Sequence, residues 1–439
     1  MHTNSIALRP LLFKVGAPLV TFAIALAAFA LVNHTASISS DSAAVGLDAP
    51  TGAGAKGRIA GLQAAVRAAP NDSGAAAALG DSYYLRARET GDPSFYDRAE
   101  RAYDRALAVD PGDPLATAGS ATLALARHDF RAGLALGQRA HRIAPDLLLP
   151  YASIVDGQIE LGRYAAAGRT LERMVSLKPN LASYARVSYF RELHGDLAGA
   201  ATAMRFAASA GGGGEAQAYV QTLLGGLEIT RGRYAAAELS YRRALAVDPG
   251  YVPAQAGLAR VDAATGDLDR AIERYRGVVE SLPLPEHAIA LAEAELAAGR
   301  GEAARRDLAL VEIEARLQRS AGVDVDAELA LFEADHGDPR RAVTLARGVW
   351  RRAPGVRSAD AYAWALHSAG RDVDALEMSR EAMRLGSRDP YFLYHAGVIA
   401  ADAGEPARAA ELLGRVVEQS PGFSPYHGPR AERALEALG

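Results

Sequence analysis

The chain has 439 residues, 49% hydrophobic and 23% charged, with a formal net charge of −4 and no cysteine. One compact core rarely grows to this length, so the interior must be shared among stacked units. Mild acidity without a basic run excludes the footprint of a nucleic-acid binder, and the missing cysteines exclude disulfides, thiol catalysis, cysteine zinc sites and lipoprotein attachment.

In chain order the first signal is Val15 to Val32, 18 uncharged and mostly apolar positions directly after Arg9 and Lys14. As a helix this run rises roughly 27 Å, close to the hydrocarbon thickness of a bilayer. Residues 1–32 are therefore expected to be an uncleaved signal anchor, a transmembrane helix, with a cleaved signal peptide as the alternative. Arg9 and Lys14 hold the N-terminus in the cytoplasm, which places the remainder outside it, membrane-anchored in the first case and secreted in the second. Residues 33–57, dominated by Ala, Ser, Gly and Asp, read as a flexible linker with a mean reach of roughly 25–30 Å.

Residues 58–439 follow a repeat. Pro111, Pro145 and Pro179 stand 34 residues apart, and each closes an Ala-rich amphipathic stretch. In Gly162-Arg163-Tyr164 and again in Gly232-Arg233-Tyr234 the glycine ends one helix and the next begins at the aromatic. Ala-Leu-Ala-Val-Asp-Pro occurs at Ala106 to Pro111 and at Ala244 to Pro249, where proline stops the second helix. Four departures carry their own expectations. Arg88 to Pro93 is an insertion expected to loop out of the stack. Gly211 to Gly214 replaces a proline and suggests a hinge between two sub-stacks. The seventh repeat reads helical from Glu302 to about Gln318, longer than its siblings, and Pro429 to Leu438 reads as a final amphipathic helix capping the last apolar face.

The pattern resembles the tetratricopeptide repeat family from Arg58 to Gly439. The first-helix signature appears as Leu79-Gly80-Asp81-Ser82-Tyr83. The second-helix alanine appears at Ala99, Ala167, Ala200, Ala237, Ala271, Ala304, Ala342, Ala375 and Ala409. The terminal proline is read at Pro70, Pro111, Pro145, Pro179, Pro249, Pro283, Pro354 and Pro421. The resemblance implies an all-α fold, a right-handed α-solenoid of about ten helical hairpins after a half repeat from Arg58 to Pro70. It also implies a concave groove lined by the first helix of each repeat. Carried over position by position, the lining is Asp81, Tyr84, Asp156, Glu160, Tyr189, Glu192, Tyr219, Arg260, Glu293, Asp324, Trp364, His367, Tyr391, Tyr394 and Asp402. Acids and aromatic faces suit a protein or peptide partner of basic character. Recognition of a terminal carboxylate through lysines is not expected, since Lys178 is the only lysine of the repeats.

No HExxH, G-x-S-x-G or phosphate-cradling glycine loop is present, so no enzyme and no cofactor are expected. The series Asp324, Asp326, Glu328, Glu333, Asp335, His336 and Asp338 lacks the spacing of a calcium loop and reads as a solvated acidic edge rather than a metal site. The functional expectation is a membrane-tethered protein–protein interaction scaffold that binds partner segments in the concave groove. The alternative is a regulatory or accessory subunit of an envelope enzyme or transporter complex. The sequence leaves the oligomeric state open.

Overall fold

The computed structural model describes residues 55–211 and 213–439, and these are helical throughout, without a strand. The anchor expected within residues 1–32 and nearly all of the linker lie outside the described residues. Among the described residues no helix is long and apolar enough to cross a membrane.

One helix, Ala55–Ala68, leads into ten antiparallel helix pairs, the first Ser73–Thr90 with Ser94–Val109 and the last Pro390–Asp402 with Pro406–Gln419. A short helix, Gly428–Glu436, ends the stack. Local chemistry sets the boundaries. Asp72, Asp113, Asp129, Asp196, Asp267, Asp338 and Asp389 each accept a bond from a backbone N–H of the first turn they precede. Gly162 and Gly232 take φ of 70° and 69° between the helices of their pairs, the conformation that favours glycine. His128 is the only described non-glycine residue with positive φ, at 61°.

All nine second-helix alanines predicted from the repeat are fully buried. A methyl group there is what close approach of two helices permits. The outer-helix tyrosines Tyr103 and Tyr241 fill a neighbouring space. A Cβ on Gly80 would stand 2.6 Å from the Tyr103 ring, and one on Gly225 the same distance from Tyr241, while Gly119 and Gly257 of the following pairs meet the same two rings. The long seventh second helix spans Gly301–Ser320 as expected. The closing helix turns Arg430, Glu432, Arg433 and Glu436 to solvent and buries Ala431.

Two expectations are corrected. Arg88 to Thr90 do not loop out but lengthen the first helix of pair one, which runs unbroken for 18 residues. Gly91, with φ 67°, then packs against Leu282 and Leu284. The glycine run likewise does not separate two cores. Ala207 before it and Ala216 and Val220 after it share one apolar cluster, and Gln217 Nε2 reaches back to the Ala208 carbonyl at 3.0 Å.

Leu282 is far along the chain from Gly91, and this contact belongs to a series. His128 Nδ1 lies 2.6 Å from the Asp324 carbonyl, 196 residues on. The Val356 N–H donates to Tyr164 Oη at 2.8 Å across 192 residues. Ser420 Oγ donates to the Ile229 carbonyl across 191 residues, and the Gly422 N–H donates to Tyr234 Oη across 188. A nearly constant offset is the mark of a superhelix whose second turn rests directly on its first, with one turn completed every five to six 34-residue pairs. Val356, Ala359 and Phe392 accordingly enter the same core cluster as Tyr151, Tyr189 and Leu224.

Candidate functional site

Winding brings the first helices of successive pairs, and of pairs a full turn apart, together on the inner face. Asp156, from Leu149–Glu160, accepts two bonds from Arg186 of Leu181–Leu193, from Nε at 2.8 Å and from Nη2 at 2.6 Å. The two side chains are 2% and 1% exposed. Burial pushes the Asp156 carboxyl up to about 6 while the Arg186 guanidinium opposes it. Tyr84 and Tyr219 stand beside this pair, their phenols raised by burial and influenced by the charges of Arg88, Arg186 and Asp156.

Further along the axis, Tyr189 Oη donates to Glu160 Oε1 at 3.0 Å, and Arg357 Nη1 approaches the same hydroxyl at 3.5 Å. Glu192 is raised by burial and by Asp389, with Arg357 and Arg260 opposing. Asp389 is itself pushed up to about 6 by burial, although it accepts the Tyr391 N–H at 2.6 Å as the cap of its helix.

At the C-terminal end the column becomes aromatic. Trp364 Nε1 donates to Asp335 Oδ1 at 3.0 Å, and its ring stacks on His395 with centroids 4.3 Å apart. His395 Nδ1 lies 2.9 Å from Asp360 Oδ2, and this carboxylate raises the imidazole against the effect of burial. His427, the residue before the closing helix, points Nε2 at Asp335 Oδ2 from 3.5 Å and at Glu293 Oε1 from 4.0 Å. His336 Nε2 is 3.4 Å from the same Glu293 oxygen. Burial raises the Asp335 carboxyl, but the imidazoles of His427, His395 and His336 outweigh it and hold the group below its ordinary value.

Of the fifteen expected groove residues, Asp81, Tyr84, Asp156, Tyr189, Glu192, Tyr219, Glu293, Trp364 and Tyr394 are buried. Glu160, Arg260, Asp324, His367 and Tyr391 are half-buried, and Asp402 is exposed. Most of the inner face thus packs against itself. Asp81 is engaged sideways, accepting a 2.7 Å bond from Tyr103 Oη of the outer helix. Asp324 sits between turns, its N–H donating to the Arg127 carbonyl and its Oδ2 2.6 Å from Arg352. The supposed acidic edge is divided as well. Asp326 pairs with Arg319 and Arg352, Glu333 pairs with Arg341, and Asp335 belongs to the inner cluster.

Arg88 and His427 escape a register-based reading because one lies in the insertion and the other in the cap, outside the repeated unit. Arg357 and Asp389 share the register, but their roles need the 190-residue winding that the local pattern does not contain.

Residues 228–288 match the sequence model of the Tetratricopeptide repeat family. A search of the curated proteins finds no match to the chain. Among solved structures, a tetratricopeptide repeat protein from Parabacteroides merdae is 15% identical, with a TM-score of 0.33, covering 59% of this chain and 98% of its own. The TPR domain of P58(IPK) is 13% identical, with a TM-score of 0.28, covering 92% of this chain and 98% of its own.

Proposed function

We propose that this tetratricopeptide-repeat chain is a protein–protein interaction scaffold without chemistry of its own, held at the membrane by residues 15–32 with its solenoid outside the cytoplasm. The single observation that supports a binding role on the inner face is that five of its expected lining residues, Glu160, Arg260, His367, Tyr391 and Asp402, keep contact with solvent while nine others are buried. The carboxylates of Glu160 and Asp402, and separately the Tyr391 ring, favour a segment carrying Arg or Lys. A partner would meet short open stretches of the inner face rather than one continuous groove.

Site-specific photo-crosslinking of the full chain in its native membranes tests this. Probes at Glu160 and Asp402 are expected to capture a partner that a probe at the outer-face Ile313 does not. Capture from Ile313 alone would move the site to the outer surface. A reporter fused to the C-terminus is expected to be active only outside the cytoplasm, and cytoplasmic activity would overturn the proposed orientation.

The second reading, an accessory subunit of fixed stoichiometry in an envelope enzyme or transporter complex, draws support from the hydrogen bonds that lock successive turns together. Such bonds suit a preformed surface more than an adaptable one.

A further inference from the structure

We infer that Glu293, Asp335 and His427 form a binding site for one divalent transition cation of the zinc class, which fastens the C-terminal cap to the inner helices of pairs seven and eight. One ligand atom from each of the three residues lies within 4.8 Å of the other two. The separations of 3.5 and 4.0 Å from His427 Nε2 to the two carboxylate oxygens are longer than charge-assisted hydrogen bonds, which close to about 2.7–2.9 Å. They lie nearer the roughly 3.3 Å between neighbouring ligands of a tetrahedral ion bound at about 2.0 Å.

His427 supplies an independent observation. It is 2% exposed, its Nε2 is directed at the two carboxylates without closing a short bond to either, and its Nδ1 has no hydrogen-bond partner. Nε2, the nitrogen facing the carboxylates, is the one available to an ion, and Nδ1 lies on the opposite edge of the ring.

The surroundings orient the ligands. Trp364 Nε1 binds Asp335 Oδ1 and leaves Oδ2 facing His427, and His336 Nε2 lies 3.4 Å from the Glu293 oxygen that faces His427. Partners of this kind fix ligand direction at metal centres. A neighbouring group, His367 with Asp372 and Asp402, has similar composition but different geometry. His367 Nδ1 already closes a 2.7 Å bond to Asp372, and Asp402 is exposed, so that group is satisfied without an ion.

The test is equilibrium dialysis of the full, metal-stripped chain against ZnCl2, with bound zinc counted by mass spectrometry and folding followed by circular dichroism. One equivalent is expected in the parent protein and in His367→Gln, and none in His427→Gln or Asp335→Asn. Trp364→Phe is expected to weaken binding about tenfold. Should the ligand variants fail to fold, X-ray absorption of the zinc-loaded parent decides, with a single imidazole and otherwise oxygen ligands expected. No stoichiometric zinc in the parent, zinc retained by folded His427→Gln, or a zinc spectrum without imidazole would each overturn the site.

Discussion

Gly162 and Gly232 each meet two demands. Their φ near +70° favours glycine, and a Cβ on either would also strike backbone of the overlying turn, at the Pro354 carbonyl for Gly162 and at the Gln419 carbonyl for Gly232. Two residues later in each motif, Tyr164 and Tyr234 accept backbone N–H bonds from that same overlying turn. Gly370 has the same φ of 70° but nothing within 4 Å of its would-be Cβ. The two positions therefore separate backbone strain from packing between turns. Gly370→Ala is expected to cost about 1–2 kcal/mol, the strain alone. Gly162→Ala is expected to cost about 1–3 kcal/mol more, because Pro354 must also move. Urea unfolding of both variants measures the difference, and equal losses would show that the contact between turns contributes nothing.

At the scale of elements, the helix pairs were legible because each carries its own punctuation. The alanine of each second helix, the glycine between helices and the proline after them are local requirements, and all nine alanines lie where the register puts them. The inner face was legible only as a set of positions. Asp156 and Arg186 belong to the first helices of successive pairs, and either could face a solvent-filled groove on sequence alone. What makes them an enclosed ion pair is the radius of the superhelix, and that depends on how distant turns stack. The pair predicts a specific asymmetry. Asp156→Asn leaves a guanidinium buried without its counter-charge and is expected to cost about 3–5 kcal/mol, whereas Asp156→Leu combined with Arg186→Met is expected to cost less than either single change. Denaturant melts of the single and double variants check this. A double variant less stable than both singles would mean the pair stabilises beyond mutual neutralisation.

For the whole molecule, the axial column makes stability depend on pH in an unusual direction. Burial raises Asp156 and Asp389 to about 6 and Glu286 to about 7, so each binds a proton more readily folded than unfolded. Their contribution is complete below about pH 4, where both states are protonated in the unfolded range, and is lost as pH rises through 6 to 7. His395, raised chiefly by Asp360 against burial, acts in the same direction. His194 and His287, lowered by burial, oppose the trend and recover stability as pH rises. The three acids and His395 outnumber them, so the Tm is expected to fall between pH 5 and pH 8. A scan of thermal unfolding across that range measures it, and a Tm that rises instead would mean the column is hydrated enough to ionise freely.

The constant offset between turns has a genetic corollary. In an open array of repeats, a duplicated or deleted unit merely changes the length. Here, losing one 34-residue unit between Tyr234 and Asp324 would shift by one repeat every bond between turns that spans it, His128 to Asp324, Tyr164 to Val356 and Tyr234 to Gly422. Gain or loss of a whole repeat within that stretch therefore breaks the seam between turns, whereas substitution within a fixed count keeps it.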